Sequence, residues 1–324
     1  MDRWFNNVQS LTERYLTHRK RKKVRLKKKQ QAKNPVVDWL EAFLWAAGVV
    51  LLINQYLFQA YQIPSGSMEN TLLIKDHIFV NKLIYGPELL PGELKLPGFT
   101  TPKRNNVIIF ESPTYISKGP VFDILQRVLY MLTLSLVDID KDKNGNPKPH
   151  FLIKRAAAVS GDEVRFRKGF LQIKPPGFEN WMAETDFKKM SGVPDTTHRL
   201  ISLSDYPAIR ASAFLDAYRS AGIPPLARLV STSGSSQNVS GDMFAWMKYR
   251  NEAYYEIYPQ NKRYGILWRK FDTGWYIPKG WILPLGDNRD NSKDGRYFGP
   301  VSLRNVLGKA MFKYWPIKRI GPIR

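Results

Sequence analysis

A single long apolar run stands out among many short ones along the chain. Residues 39–58 read WLEAFLWAAGVVLLINQYLF, and the apolar run from Ala42 to Ile53 within them is unbroken. A helix of about 20 residues, rising about 1.5 Å per residue, matches the roughly 30 Å hydrocarbon thickness of a bilayer. The pattern predicts one transmembrane helix within residues 36–60. A helix buried in a soluble core is the alternative that the run alone leaves open.

The rest of the chain is dominated by short runs of β-branched and aromatic residues. Turn-forming Gly, Pro and Asp residues bound these runs, as is typical of strands. The sequence therefore predicts a mainly β core over residues 61–173 and 281–324. The predicted strands lie within residues 77–85, 106–112, 150–159, 163–173 and 280–286.

The segment between the two parts of this core has a helical pattern. Residues 205–224 form one candidate helix, which Ser204 or Asp205 can cap. Residues 242–259 form a second candidate helix. We therefore predict that an α/β subdomain, residues 174–280, is inserted into the β core.

A second apolar stretch, residues 121–140, is a weaker candidate for a membrane span. Asp123, Gln126 and Arg127 interrupt its first part. Its clean apolar portion is only about eleven residues long, which is shorter than a span requires. We therefore predict an amphipathic segment that either lies on the membrane surface or packs in the core.

The net charge of +22 is concentrated near the N-terminus. Residues 1–35 carry twelve lysines and arginines against two acidic residues, directly before the apolar run. Such a block is typical of a nucleic-acid-binding arm or of the cytoplasmic flank of a membrane span. The apolar run favours the second interpretation, with residues 1–35 in the cytoplasm and the chain beyond residue 60 outside. We expect the block to contact anionic lipids and expect no nucleic acid.

The apolar run is predicted to be a permanent anchor rather than a leader that is removed. The basic region before it is far longer than that of a signal peptide, and the residues after it, QAYQIPSG, contain no clear small-x-small cleavage site.

The chain contains no cysteine, which excludes a disulfide framework, a zinc–thiolate site and a thiol nucleophile.

The stretch IPSGSMENT, residues 63–71, places two serines just beyond this anchor. The ordinary interpretation of Ser65 and Ser67 is a turn with side-chain to backbone hydrogen bonds. A serine nucleophile needs a base, and the chain offers only four histidines and no G-x-S-x-G motif. A neutral lysine is the other recognised base. Its ordinary pKa near 10.4 must fall by roughly 2–3 units, which burial among apolar side chains can achieve.

Lys154 fits this requirement. In FLIKRAAAV, the two-residue period of a strand places Lys154 on the same face as Leu152 and Ala156. Ile153 and Arg155 lie on the opposite face, so one basic residue shares a face with apolar neighbours. The alternative is that Lys154 extends to solvent from a strand at the edge of a sheet.

Three blocks, in order after the anchor, resemble those of bacterial type I signal peptidases, which are membrane-bound Ser-Lys proteases. They are IPSGSMENTL at residues 63–72, LIKRAAAVSGDEV at 152–164 and GDNRDNSKDGRYFGPV at 286–301. RNNVIIF, at residues 104–110, occupies the place of a further strand of that family. The resemblance implies an antiparallel β catalytic core of the signal peptidase fold. The α/β insert contains no matching motif.

The resemblance implies roles for four residues at the reaction centre. Ser67 would be the nucleophile, and Lys154 would be the general base that takes its proton. The backbone N–H of Ser67 and the hydroxyl of Ser65 would form the oxyanion hole. Ser292 would hydrogen-bond Lys154 and orient it.

The same resemblance implies supporting and substrate-binding residues. Asp294 and Arg296 would form a structural ion pair behind the site, and Asp287 and Asn288 would shape the nearby loop. For these four residues, a scaffolding role stands beside direct catalysis as an alternative. The candidates for shallow pockets that admit only small side chains are Tyr61, Ile63, Met68, Leu72 and Ile153.

The sequence departs from the family pattern at three places. Asn70 stands where the nucleophile block usually has proline, so we expect a less rigid turn after Ser67. RNN at residues 104–106 replaces Arg-Gly-Asp, which puts the role of that Asp in doubt. Gly295 stands where serine is common. None of these changes removes the nucleophile or the base.

The function implied by the resemblance is removal of N-terminal signal peptides from exported preproteins. Cleavage is expected after small residues in an Ala-x-Ala pattern, at the outer surface of the cell membrane. The expected partners are preproteins emerging from the translocation machinery, bound as an extended strand, and no cofactor or metal is expected. Soluble self-cleaving repressors share the chemistry, but the anchor argues against them. The remaining alternative is an inactive anchored homologue that serves as a nucleic-acid- or lipid-binding scaffold.

Overall fold

The protein divides into two compact units, residues 1–52 and residues 53–324, which are described separately. Our computed structural model describes residues 12–25, 34–88, 95–116, 118–133, 136–141, 145, 150–234, 241–272 and 274–323. In the first unit, residues 12–25 are helical and exposed. Helix α1, Pro35–Tyr56, begins ten residues later, and its last four residues, 53–56, are counted with the second unit. The second unit contains all of the predicted catalytic core and the predicted insert.

Helix α1 has the length and composition of the predicted membrane span. Pro35 occupies its first position, and the side chain of Asn34 accepts a hydrogen bond from the backbone N–H of Val36 at 3.0 Å. Proline at the first helical position and a side chain that caps the first turn both favour the start of a helix. Its 22 residues reach a mean hydropathy of 2.0 over 18 residues and measure about 33 Å in length. Among the described residues, α1 is the one helix long and apolar enough to cross a bilayer.

Twelve strands within the described residues form two antiparallel sheets. The larger sheet has the order β1-β2-β11-β3-β4-β9-β10, with β12 paired to β11, and the smaller has the order β7-β6-β5-β8. This confirms the predicted fold class, a mainly antiparallel β core with an α/β insert. The strands are β1 Phe58–Gln62, β2 His77–Asn81, β3 Val107–Glu111, β4 Phe151–Val159, β5 Glu163–Arg167, β6 Phe170–Lys174, β7 Met182–Ala183, β8 Trp275–Tyr276, β9 Trp281–Leu285, β10 Val301–Ser302, β11 Val306–Trp315 and β12 Gly321–Pro322.

Strands β3 and β4 lie in the middle of the larger sheet, which is covered on both faces. Val107 and Ile109 of β3 pack in one apolar cluster, whereas the alternate residues Ile108 and Phe110 pack in another. This alternation is expected of a strand between two apolar layers. Lys154 of β4 pairs with Ile108, and β4 itself lies between β3 and β9. The edge-strand alternative for Lys154 is therefore wrong.

Residues 163–173, which the sequence suggests are one strand, form a hairpin of β5 and β6. The chain turns at Lys168 and Gly169, which both have positive φ values, 46° and 71°. Strand β8, from the far end of the predicted insert, pairs with β5. The hairpin therefore belongs to the smaller sheet, together with β7 and β8 of the predicted insert, and not to the larger sheet.

Seven further helices have their bounds within the described part of the second unit. Two of them, α4 and α6, match the predicted helices of the insert. The cap of α4 differs from the prediction: Ser202 accepts a hydrogen bond from Ser204 N–H, and Asp205 reaches back to Ser202 N–H, because a 3₁₀ turn precedes the helix. The helices are α2 Pro120–Leu132, α3 Glu184–Met190, α4 Tyr206–Ser220, α5 Ala227–Ser233, α6 Met243–Ile257, α7 Lys262–Asp272 and α8 Gly295–Phe298.

Helix α2 lies in the predicted amphipathic segment. Its 13 residues measure about 20 Å, which is too short to cross the hydrocarbon layer. Val121 is 81% exposed, whereas Gln126 is 2% exposed. Arg127 forms an ion pair with Glu111 of β3 at 2.6 Å, which ties one side of the helix to the sheet. The other side is apolar and open, and its location on a membrane stays a prediction.

Candidate active site

Ser67 lies in a short 3₁₀ turn, Gly66–Met68, that follows β1. Two backbone hydrogen bonds fold this connection back on itself: Ile63 N–H donates to the Asp76 carbonyl and Lys75 N–H to the Ile63 carbonyl, both at 2.9 Å. The connection thus holds Ser67 against the sheet, where the residue is only 8% exposed. A hydroxyl buried to this extent requires a polar partner.

Lys154 is that partner: its Nζ lies 2.6 Å from Ser67 Oγ. The amine also contacts the carbonyl oxygen of Ile153, at 3.1 Å. Burial lowers the pKa of Lys154 to about 8, although the carboxylates of Asp294 and Asp287 act to raise it. Near pH 8 a substantial fraction of the amine is therefore neutral, and a neutral amine can accept a proton.

Ser65 lies beside this pair. It precedes the 3₁₀ turn in an extended conformation, and its Oγ is 3.4 Å from Ser67 Oγ. The backbone N–H of Ser67 belongs to the first turn of the 3₁₀ helix, where amides have no acceptor within the helix. The structure thus brings the two predicted oxyanion-hole donors close to the Ser67 oxygen.

Asn70 adopts a backbone conformation that proline cannot adopt. Its φ is +83°, whereas the proline ring fixes φ near −65°. Asparagine is one of the few residues with a side chain that tolerates the left-handed region. A proline at this position would therefore require a turn of different shape after Ser67, and the expected lower rigidity of this turn stays a prediction.

The loop that follows β9 supports the backbone of Ser67. Asn288 N–H donates to the Ser67 carbonyl oxygen at 3.1 Å, and the Asn288 side chain donates to Glu69 at 2.9 Å and accepts from Asn291 N–H at 3.2 Å. Gly286 permits this close approach, because a β-carbon at that position would lie 2.6 Å from the Ser67 carbonyl oxygen. Asn288 thus contacts the Ser67 turn, through Ser67 and Glu69, and also its own loop, through Asn291.

Asp287 pairs with Arg155, the neighbour of Lys154 on β4. Arg155 Nε and Nη2 donate to the two carboxylate oxygens at 2.8 and 2.7 Å, and the hydroxyl of Thr71 donates to the same carboxylate. Both charged side chains are buried. Sequence reasoning missed this partnership, because the strand period assigns Arg155 to a face but cannot identify a partner 132 residues away.

Asp294 and Arg296 form the predicted ion pair, with Arg296 Nε donating to Asp294 Oδ1 at 2.9 Å. Asp294 Oδ2 accepts from Gly286 N–H at 2.9 Å, and Arg296 donates to the carbonyls of Arg289 and Ser292. Burial alone would raise the pKa of Asp294, but the Arg296 guanidinium outweighs burial and lowers it. The pair therefore stays ionised. Its hydrogen bonds link Gly286, at the start of the loop, to the segment from Arg289 to Arg296.

Ser292 does not make the hydrogen bond to Lys154 that the resemblance implies. Its hydroxyl is buried, and no described residue offers it a partner in good hydrogen-bonding geometry. It lies near the Asp294 carboxylate and helps to lower the pKa of that group. The Lys154 amine is directed to Ser67 and Ile153 instead.

The RNN segment contains a positive φ at its second residue and a side-chain hydrogen-bond acceptor at its third. Asn105, in place of glycine, has a positive φ of 68°, which asparagine tolerates. Asn106, in place of aspartate, uses its side-chain oxygen to accept hydrogen bonds from the Tyr85 hydroxyl at 2.8 Å and from Lys103 N–H at 3.1 Å. An amide oxygen thus fills an acceptor position that a carboxylate could also fill.

A cavity of about 890 Å³ opens beside Ser67 and Lys154. Leu72 does not line it, because its side chain is fully buried in an apolar cluster of the core. Within the described part of the chain, no group of His, Cys, Asp and Glu residues is arranged to hold a metal ion. The predicted pocket residues that do line the cavity are Tyr61, Ile63, Met68 and Ile153.

Aromatic residues outside the three sequence blocks also line this cavity. Tyr130 of α2 and Phe151 of β4 pack against Tyr61, with ring centroids 6.1 and 5.8 Å from its ring. Sequence reasoning missed Tyr130, because α2 carries no motif that resembles the family. The strand period could have identified Phe151, which lies two residues before Ile153 and therefore on the same face of β4.

Comparison with known proteins decides the family. The profile of a family described as "Signal peptidase, peptidase S26" matches residues 36–315. This chain belongs to the peptidase S26 family. The protein is thus a serine peptidase of the signal peptidase type, and the resemblance that the three blocks indicate is confirmed.

Curated relatives of this S26 peptidase bear the name Signal peptidase I. The relative from Haemophilus influenzae is 26% identical over 285 residues, covering 87% of this chain and 70% of the relative. The relative from Pseudomonas aeruginosa is 25% identical over 293 residues, with 87% and 74% covered. The relative from Aquifex aeolicus is 27% identical over 269 residues, with 82% and 79% covered. The similarity therefore extends over most of each chain.

Proposed function

We propose that this S26 peptidase removes N-terminal signal peptides from exported preproteins, with Ser67 as nucleophile and Lys154 as general base. The observation that carries the proposal is the 2.6 Å distance between Lys154 Nζ and Ser67 Oγ in a buried site. A serine hydroxyl needs a base within hydrogen-bond reach. Lysine can act as that base when its pKa is lowered, and burial lowers the pKa of Lys154 to about 8.

The reaction begins when neutral Lys154 accepts the Ser67 proton and Oγ attacks the scissile carbonyl carbon. The negative oxygen of the tetrahedral intermediate is stabilised by Ser67 N–H and Ser65 O–H, each contributing roughly 2.7–4 kcal/mol to lowering the barrier. The Lys154 ammonium then donates its proton to the leaving amine as the C–N bond breaks. Water, activated by Lys154, hydrolyses the resulting ester and restores the Ser67 hydroxyl.

The remaining predicted site residues act through the scaffold in this proposal. Asp287 neutralises Arg155, and Asp294 neutralises Arg296, so four charges are buried in two pairs. Asn288 holds the Ser67 carbonyl. Ser292 belongs to the same loop, and its hydroxyl contributes to the surroundings of the Asp294 carboxylate rather than to the orientation of Lys154.

The substrate is proposed to be an extended peptide with small residues in an Ala-x-Ala pattern before the cleaved bond. Ile63, Met68 and Ile153 line the cavity next to Ser67 and present apolar side chains that suit a methyl group. An extended peptide can pair with exposed strand edges while alternate side chains enter pockets. Signal peptides end in small residues of this kind.

Helix α1 is proposed to be a single-pass anchor, with the basic N-terminal segment in the cytoplasm and the second unit on the outer side. The basic segment would contact anionic lipids, and the substrates would be preproteins leaving the translocation machinery. Val121, Ile124 and Leu125 of α2 are exposed apolar side chains that support contact of this helix with the membrane surface.

Cleavage of a purified preprotein by the full-length enzyme tests the proposal. Ser67→Ala and Lys154→Met should each lower kcat on the order of 10⁴-fold or more. Lys82→Met is the matched control: burial also lowers the pKa of Lys82 to about 8, but its amine lies 3.4 Å from the Gln55 carbonyl and contacts no serine hydroxyl of the described residues. This control should retain nearly all activity. Full activity in Ser67→Ala or Lys154→Met would contradict the proposed dyad, and absence of cleavage by the wild-type enzyme would favour an inactive scaffold.

A further inference from the structure

The first part of the insert packs against the loop that supports Ser67. Asp287 O accepts a hydrogen bond from His198 N–H at 2.7 Å, and Arg289 N–H donates to His198 O at 3.0 Å. His198 and Asn288 thereby form a parallel bridge between the insert and the loop. These two backbone hydrogen bonds fix the distance between the two segments at this one position.

A buried carboxylate of the insert reinforces this contact. Glu184, the first residue of α3, accepts from Arg289 Nη2 at 2.7 Å and from Lys188 Nζ at 2.9 Å. All three side chains are buried. Burial alone would raise the pKa of Glu184, but the charges of Arg289 and Lys188 outweigh it and lower the pKa. Glu184 is therefore an ionised carboxylate held between two cations.

Arg289 carries this contact to the reaction centre. Its Nε donates to the Gly286 carbonyl at 2.9 Å, so the guanidinium that binds Glu184 also closes the loop from residue 286 to residue 289. Inside this closed loop, Asn288 N–H donates to the Ser67 carbonyl oxygen. Two hydrogen bonds, Arg289–Glu184 and Asn288–Ser67, therefore connect the Glu184 carboxylate with the nucleophile residue through this loop.

A second contact of the insert reaches the adjacent residue. Asp290 Oδ2 accepts from the backbone N–H groups of Leu200 and Ile201 at 2.5 and 3.1 Å, and Arg199 lies 3.3 Å from the same carboxylate. Arg289 and Asp290 belong to one 3₁₀ turn, residues 289–291. The insert thus holds this turn from two sides.

We propose that Glu184 is a positioning residue for the reaction, which holds the Gly286–Arg289 loop, and with it Ser67, in the geometry that cleavage requires. The inference rests on the proposed function of Ser67 and Lys154. It assigns a task to the insert: residues 184–201 brace the reaction centre from outside the three sequence blocks. Misplacing a reacting group by about 1 Å can cost on the order of 10²-fold in rate, so a brace at this position has a measurable effect.

Removal of the Glu184 carboxylate tests the inference in the full-length enzyme. Glu184→Ala should lower kcat per active site by about 10- to 100-fold, with the number of active sites titrated by an acylating inhibitor, and should change KM much less. Glu184→Gln keeps an acceptor for Arg289 and should recover a large part of the loss. The pH at which activity is half-maximal should stay the same, because the charges that act on Lys154 are those of Asp294, Asp287 and Arg296 and not that of Glu184.

Phe214→Leu is the control for a merely structural effect. Phe214 is buried in a separate apolar cluster of the insert, so this variant should lower the melting temperature without lowering kcat per active site. The inference is overturned if Glu184→Ala lowers only the melting temperature or the titrated number of active sites. Loss of activity in Ser67→Ala, measured beside it, keeps the proposed function separate: that function can stand while the role of Glu184 fails.

Discussion

The fold destabilises the charged form of Lys154, and the proposed role of this residue as a base depends on that energetic cost. A shift of its pKa from 10.5 to about 8 corresponds to on the order of 3 kcal/mol of lost ammonium stabilisation. The larger sheet imposes this cost because β4 is a central strand with both faces covered. The Ser67 hydroxyl, 2.6 Å away, is a neutral partner, so it does not restore the charge as a carboxylate at the same distance would.

This cost predicts a specific pH dependence of stability. The folded-state pKa of Lys154 is depressed below its unfolded value, so the unfolded chain binds more protons between about pH 8 and pH 10.5, and stability rises with pH across this window. Lys154→Met removes this contribution. The free energy of unfolding of the wild type minus that of the variant should therefore increase by on the order of 3 kcal/mol between pH 7 and pH 11, measured by urea denaturation. The other buried lysines are common to both proteins and cancel, and a difference that does not change with pH would contradict the burial of the charged amine.

Residue identities at the site could be predicted from the sequence where they lie within a recognisable block. The blocks that resemble the family identify Ser67 and Lys154, whereas the strand period alone leaves open whether Lys154 is buried or extends to solvent. Backbone conformation could not be predicted: the positive φ of Asn70 became visible only in the folded turn. The missing Ser292–Lys154 hydrogen bond is of the same kind, since it depends on side-chain directions that motifs do not specify.

The loop after β9 is the element that connects the larger sheet, the nucleophile turn and the insert. Its Asp287 binds Arg155 of β4, and its Asn288 binds the carbonyl of Ser67.

Strands could be predicted where apolar runs were continuous, as in β3 and β4. The sequence pattern does not predict helix α7, because Gly265 and several charged residues make its apolar pattern irregular. It also does not predict the hairpin of β5 and β6, because the pairing of these strands depends on the rest of the fold.

Asp287→Ala tests the importance of the ion pair between these elements. It leaves the buried Arg155 without its carboxylate and should destabilise the protein by about 3–5 kcal/mol in urea denaturation. Asp216→Ala is the control, since Asp216 pairs with Arg250 at 2.6 Å but both side chains are about 40% exposed. That pair should contribute less than about 1 kcal/mol. Equal effects of the two substitutions would show that burial does not set the energy of the Arg155–Asp287 pair.

At the scale of the whole molecule, charge and hydropathy separate a basic N-terminal segment and an apolar helix from the enzyme unit. These coarse properties are sums over many residues, which is why the fold class and the candidate span could be predicted without a structure. The α3–loop contact could not be predicted, because Glu184 and Arg289 are 105 residues apart in the chain. Their pairing is a property of the assembled second unit.

The absence of cysteine makes the membrane orientation directly testable. Arg167→Cys introduces a single thiol at an exposed position of β5, and His18→Cys introduces one at an exposed position before α1. In spheroplasts, a membrane-impermeant maleimide should label Arg167→Cys at once and should label His18→Cys only after the membrane is broken. The reverse pattern would place the Ser67 and Lys154 unit in the cytoplasm and contradict the proposed topology.

The most direct measurement is the pH dependence of kcat/KM for preprotein cleavage by the full-length enzyme. Because Lys154 must be neutral to accept a proton, kcat/KM should rise with pH and reach half its maximum at a pH near 8, the value to which burial lowers the pKa of Lys154. A midpoint near the ordinary lysine pKa of 10.5, or activity that does not change as this amine loses its proton, would contradict the account.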